Sequence, residues 1–344
     1  MTATRQISVG IVGTGVMGAH HAETLHRHVT GAAVSAVADV DPARAHAAAD
    51  ALPGVKVAAD AAALITDPAV DAVVIASHDS THAGLARAAV QAGKPVMCEK
   101  PLAPSVAECE AVVRAEAQAL AGRGPQLISV GFMRRFDPGY QELKLAVDAA
   151  SHGTPLLLHC ISRGVSSAPG TTSEYSVTGA AIHEFDIVPW LLDSPIVEVS
   201  WQAPRSSATV GGLQDPQLIL LRTADGALTT LEVFLNAGYG YDIGCEVVCE
   251  QGTLALVPTG RIVTNHAGTR SMAHPADWRP RFADAYRLEL QAWIDAIAAG
   301  RPSPLPTARD GLIATAIAEA VIASMHHGGR FVAVEVPAPE SAVT

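Results

Sequence analysis

The chain has 344 residues, more than a single hydrophobic core usually organises, so two domains are expected. Hydrophobic residues make up 49% and charged residues 17%, without an apolar run of membrane-spanning length, which argues against a disordered or membrane-embedded chain. The formal charge is −11 and the 23 Lys and Arg are scattered, so there is no basic footprint for nucleic acid; a small neutral substrate fits better.

The opening residues MTATRQISVGIVG run directly into a strand pattern. No signal peptide is therefore expected, and the expected compartment is the cytoplasm. Ile7 to Val12 reads as a strand, Gly13 to Gly18 as a loop, the residues through about His28 as a helix, and Ala33 to Ala38 as a second strand. The alternation continues with strands at Val70 to Ala76, Pro95 to Cys98 and Leu127 to Gly131, and helices at His82 to Ala92 and Ser105 to Leu120. Strands alternating with helices predict a parallel sheet, and this first, dinucleotide-binding domain is expected over 1–131.

From Phe132 the pattern changes, and residues 132–344 are expected to form a second α/β domain for substrate binding and oligomerisation. Pro216 to Thr223 and Ala227 to Phe234 flank Asp225-Gly226, and Tyr241 to Glu250 and Thr253 to Val257 flank Gln251-Gly252, which predicts hairpins of a mostly antiparallel sheet. Helices are expected at Pro280 to Ala299 and Ala308 to Met325, divided by the proline-rich Arg301 to Pro306.

Gly13, Gly15 and Gly18 form GxGxxG between a strand and a helix: a tight turn, a close approach for pyrophosphate, and close helix packing. Asp39 ends the next strand, where a carboxylate accepts ribose hydroxyls and repels a 2′-phosphate, so NAD is the expected cofactor. The expected cofactor contacts are Gly13, Gly15, Val16, Met17, Gly18 and Asp39, then Ser77, His82, Glu99 and Lys100 further along the chain. His20, His21, His26 and His28 lie near this loop without a carboxylate-rich partner set, so no metal is expected. The five cysteines, Cys98, Cys109, Cys160, Cys245 and Cys249, include no CxxC and read as buried thiols.

Cys98-Glu99-Lys100-Pro101 falls at the carboxyl end of a parallel strand, the edge where open α/β sheets bind ligands, and Pro101 keeps Lys100 extended. Lys100 can there hydrogen-bond a substrate hydroxyl and favour alkoxide character. Downstream, helical spacing puts His183 and Asp186 one turn apart on one face, and His183 suits a base that takes a hydroxyl proton near neutral pH.

Together GIVGTGVMGAHHA, STHAGLARAAVQAGKPVMCEKPLA, VGFMRRFDPGY, IHEFDIVPWLL and NAGYGYDIGCEVV resemble the glucose-fructose oxidoreductase and inositol dehydrogenase family, from about Ile7 to Val336. The resemblance implies a Rossmann domain, a second domain built on a large, mostly antiparallel open sheet, a terminal helix returning to the first domain, and a homotetramer. It also implies that Lys100 and His183 are catalytic and that Arg134, His159, Asp186, Tyr239 and Tyr286 line a polyol pocket.

The chain departs from the family at Gly179, four residues before His183, where an aspartate is common. Glu174, Asp186 or a substrate hydroxyl could supply the missing carboxylate's role, and the gap could let a substrate ring bind rotated. The expected activity is NAD-dependent oxidation of a secondary hydroxyl of myo-inositol or a related cyclitol to an inosose, including at a non-standard ring position. A sugar or glycoside dehydrogenase and an NAD(H)-binding sensor are the rival expectations.

Overall fold

The computed structural model describes residues 6–121, 124–208, 211–257 and 262–338. They divide into two compact units, Met1–Met133 with Asp284–Thr315, and Arg134–Ala283 with Ala316–Thr344.

In the first unit β1 (Ile7–Val12), α1 (Val16–His28), β2 (Ala32–Ala38), α2 (Pro42–Asp50), β3 (Lys56–Val57), α3 (Ala61–Thr66), β4 (Ala72–Ile75), α4 (His82–Gln91), β5 (Val96–Glu99), α5 (Val106–Leu120) and β6 (Ile128–Gly131) alternate. All strand pairs are parallel, in the order β3-β2-β1-β4-β5-β6, so the direction of winding reverses between β1 and β4. Strands β4, β5 and β6 are buried along their whole length, which is why they read as short apolar runs without alternation. Ser105 caps α5: its hydroxyl accepts from the Glu108 N–H at 3.3 Å and donates to the Glu108 carboxylate at 2.7 Å. Helices α2 and α3 go beyond the sequence expectation. Their alanine-rich faces carry little periodicity, and they are started by Asp41 with Pro42 and by Asp60, whose carboxylates accept from Ala43 and Ala63 N–H groups.

The second unit holds α6 (Pro138–Asp148), β7 (Pro155–Arg163), α7 (Ser173–Tyr175), a π-turn over Ser176–Ala181, α8 (Ile182–Leu192), β8 (Ile196–Gln202), β9 (Gln217–Thr223), β10 (Leu228–Phe234), β11 (Asp242–Cys249), β12 (Gly252–Ala255), the hairpin β13 (Val263–His266) and β14 (Thr269–Met272), and α9 (Trp278–Arg281). The chain returns to the first unit through α10 (Ala283–Ala298) and the start of α11 (Ala308–His326), and ends with β15 (Val332–Ala333). The main sheet runs β12-β11-β7-β10-β9-β8-β15. Only β7 and β10 pair in parallel, so the sheet is mixed and mostly antiparallel, as expected.

Alternation along β7 buries Leu158, Cys160 and Ser162 and turns His159 to the other face, and β9, β10 and β11 alternate likewise. The β9–β10 turn at Asp225-Gly226 has the positive φ of 98° at Gly226 that its sequence anticipates. No helix among the described residues is long and apolar enough to cross a membrane.

Candidate active site

The loop after β1 is shaped by its three glycines. Gly13 has φ +87°, and a side chain there would strike the Ser77 backbone. A side chain at Gly18 would overlap the Gly13 carbonyl, so the third glycine is needed for packing. Gly15 faces open space, with nothing within 4 Å of the position a Cβ would take. It is the N-cap residue of α1 and makes no side-chain capping hydrogen bond, so a helix start with no side chain at its cap borders the same space.

Asp39 completes this region at the end of β2. Its carboxylate accepts from the Thr14 N–H at 2.6 Å, the Thr14 hydroxyl at 3.0 Å and the Asp41 N–H at 2.8 Å. Burial opposes its charge, but these hydrogen bonds, with Arg44, hold the carboxyl below its usual range. Open space at Gly15, an uncapped helix start and an ionised acid at the strand end fit a dinucleotide with free ribose hydroxyls. Thr14, which aims that acid, was not anticipated; it is the residue inside the glycine motif that the pattern leaves unspecified.

Lys100 follows β5 and is held by its neighbour. Glu99 is 7% exposed. One of its oxygens lies 2.6 Å from Nε2 of fully buried His21 on α1, and the other accepts the Lys100 N–H at 3.2 Å. Nδ1 of His21 has no hydrogen-bond partner, so the ring's capacity is directed at Glu99. Burial opposes the charge on Glu99, but the hydrogen bond and charge of His21, then Lys100 and His82, keep its pKa low. His82 is buried with its ring nitrogens 2.7 Å from the Pro101 carbonyl and 3.1 Å from that of Ser77, so this ring ties the two strand-end segments together. Glu99 and His82 thus spend their polar atoms on the protein frame around Lys100. Tyr286, on α10, lies in this unit too, its ring edge-on to His20 and His21 at 5.2 and 5.6 Å.

In the second unit His183 is half-buried at the start of α8, between buried neighbours. Asp186 takes a two-point contact from Arg135, at 3.0 and 2.5 Å. Glu184, fully buried, pairs with the equally buried Arg134. Two consecutive arginines thereby clamp the first turn of α8. Burial pushes the Glu184 carboxyl up, against the pull of Arg134. Tyr241 lies beside this pair, its phenol pushed up to about 12, chiefly by burial.

The pocket residues suggested by the sequence are thus not all gathered. Asp186 shares the helix of His183, but Arg134 is 1% exposed and engaged by Glu184. His159 faces away from Cys160 and bonds the Thr230 hydroxyl at 2.8 Å. Tyr239 is 49% exposed and joins Asp242 and Arg163. Within this unit His159 and Tyr239 are therefore not brought to the face that carries Glu184 and Arg134. Of the two tyrosines in NAGYGYD it is Tyr241 that reaches the ion pair, and of the two arginines it is Arg135 that bonds Asp186.

A six-stranded parallel sheet of this order, with a glycine loop at its switch point and an ionised acid after β2, defines a dinucleotide-binding oxidoreductase domain. Residues 7–121 match the model of the oxidoreductase family with an NAD-binding Rossmann fold, and residues 169–335 match that of the family's C-terminal alpha/beta domain. The chain belongs to this oxidoreductase family. It is 54% identical to inositol 2-dehydrogenase 2 of Paenarthrobacter aurescens over 94% of this chain and 97% of that one. It is 49% identical to inositol 2-dehydrogenase 1 of Saccharopolyspora erythraea over 94% of this chain and 95% of that one. Its fold is similar to that of myo-inositol dehydrogenase from Lactobacillus casei in complex with NAD(H) and myo-inositol, with a TM-score of 0.92, 34% identity, and coverage of 98% of this chain and 100% of that one.

Proposed function

We propose that the chain oxidises a secondary hydroxyl of myo-inositol or a closely related cyclitol to the inosose, with NAD as oxidant. The observation that carries this reading is that the backbone bearing each of two chemically apt side chains is held in place. Lys100 is held by the buried Glu99, and His183 projects from a helix locked by two ion pairs. The inositol dehydrogenases among its relatives support the substrate class.

Gly13 to Gly18 would hold the pyrophosphate and Asp39 the adenosine ribose. Bound NAD supplies a two-electron acceptor for the hydride leaving the carbinol carbon. Lys100 donates a hydrogen bond to the reacting hydroxyl, and its charge favours alkoxide character as the proton leaves. His183 takes that proton. Arg135 keeps Asp186 in place on the same helix, so Asp186 can accept from a neighbouring substrate hydroxyl through a remaining lone pair.

A tetramer and a cytoplasmic setting complete the proposal. The half-exposed Ile161, Leu218 and Leu220 on the outer face of the mixed sheet support self-association, and the five free thiols fit a reducing compartment.

The test is NAD reduction by the purified enzyme over inositol stereoisomers and aldoses, with the ketone identified by NMR. Turnover of a cyclitol is expected, and preference for an aldose would move the assignment to a sugar dehydrogenase. Lys100→Met should abolish turnover and leave the NADH dissociation constant nearly unchanged. Activity that survives this substitution would overturn the mechanism.

A further inference from the structure

The residue one turn before His183 is Gly179, and the Tyr175 ring borders the space its side chain would enter. A Cβ built there would lie 3.1 and 3.2 Å from ring carbons of Tyr175, closer than ordinary contact allows. The segment between them is the π-turn Ser176–Ala181. A π-turn advances less around the axis per residue than an α-turn, so residues four apart come nearer to one line. Tyr175, Gly179 and His183 are successive members of such a column. Helical side chains lean toward the N-terminus, so a side chain at 179 would project into the Tyr175 ring.

Of the other side chains that could act here, Asp186 is held by Arg135, and Glu174 lies at the surface, 3.7 Å from His326. Tyr175 is 55% exposed, and its hydroxyl has no hydrogen-bond partner among the described residues. An exposed ring with a free phenol, on the side-chain column of the candidate base, presents a flat apolar face and one donor-acceptor group.

We propose that Tyr175, admitted by the absence of a side chain at Gly179, is a specificity-determining residue that contacts the cyclitol, its ring against C–H edges and its phenol on one hydroxyl. This rests on the cyclitol reading above.

The test is a steady-state double-mutant cycle on the full-length enzyme with the cyclitol it turns over best. Tyr175→Phe keeps the packing and removes only the hydroxyl. It should raise KM by up to about tenfold, the worth of one hydrogen bond, change the ranking of inositol stereoisomers, and leave NADH affinity unaltered. Gly179→Asp alone should cut kcat/KM, because the carboxylate and the ring compete for one space. In the Tyr175→Ala background the same substitution should cost far less, or restore activity. Additive effects in the cycle, or an unchanged KM and ranking in Tyr175→Phe, would overturn the inference while turnover of cyclitols by the unaltered enzyme upholds the function. An unaltered enzyme inert toward every cyclitol would sink both.

Discussion

Glu99 is a buried carboxyl that the fold keeps charged, and its partners make that testable. Its folded pKa lies below the ordinary glutamate value because the hydrogen bond and charge of His21, followed by Lys100 and His82, outweigh burial. A depressed folded value means that ionisation favours the native state. The stabilisation is complete above the unfolded value of about 4.3 and is lost as pH falls through the lower folded value. Glu99→Gln removes this dependence. Urea midpoints of the two proteins should therefore differ most near neutral pH and converge on acidification below about pH 4; a gap that stays constant would refute the assignment. Lys100 and His183 were legible from residue type and position. Their supports were not, because no local spacing links His21 to Glu99 or Arg134 to Glu184. The two-residue period of a strand tells which residues share a face but not which face is covered, so LLLHCISR could not reveal that His159 turns away from the core. Tyr239 was expected from the family resemblance, whereas Tyr241, two residues on and just before β11, is the one beside the ion pair.

At the level of elements, α8 shows what one buried ion pair contributes to a segment that packing and a second ion pair also hold. Arg134 and Glu184 are each about 1% exposed, and each is the other's opposite charge, with Tyr241 beside them. Arg134→Met should destabilise the protein by about 3 to 5 kcal/mol, the cost of stranding a buried carboxylate. Adding Glu184→Met should recover most of that loss, because replacing both members removes the desolvation penalty with the attraction. Urea unfolding of the single and double variants measures this, and equal losses in both would show that packing rather than charge pairing holds the helix. The beginning of α5 could be read from Ser105 and Glu108, and the β9–β10 hairpin from Asp225-Gly226, because caps and turns are local chemistry. The expected helix from Pro280 is instead broken at Phe282 into α9 and α10. Strands β7 and β8 were missed, their pairing being decided by distant neighbours rather than by adjacent residues.

On the scale of the whole molecule, the unit that carries the dinucleotide loop is discontinuous in sequence. Residues 284–315 belong with the first 133, and the contacts are dense. Gln291 accepts from the Thr30 N–H at 2.8 Å, Ser129 bonds Ser303 at 2.9 Å, the Val130 N–H donates to the Pro306 carbonyl at 2.8 Å, and Tyr286 lies against His20 and His21. Trp293, Leu290, Ile294 and Leu312 from this stretch are all buried. A fragment ending at Met133 would lack these side chains, leaving the apolar surface opposite α10 uncovered, with burial of each large side chain worth about 2 kcal/mol. That fragment should therefore be unstable or aggregated. Residues 1–133 joined by a flexible linker to 284–315 should instead fold and bind NADH, as read by quenching of Trp293 and by a rise in melting temperature with cofactor. Equal solubility and NADH affinity of the two fragments would mean that α10 is an appendage rather than part of the nucleotide-binding core.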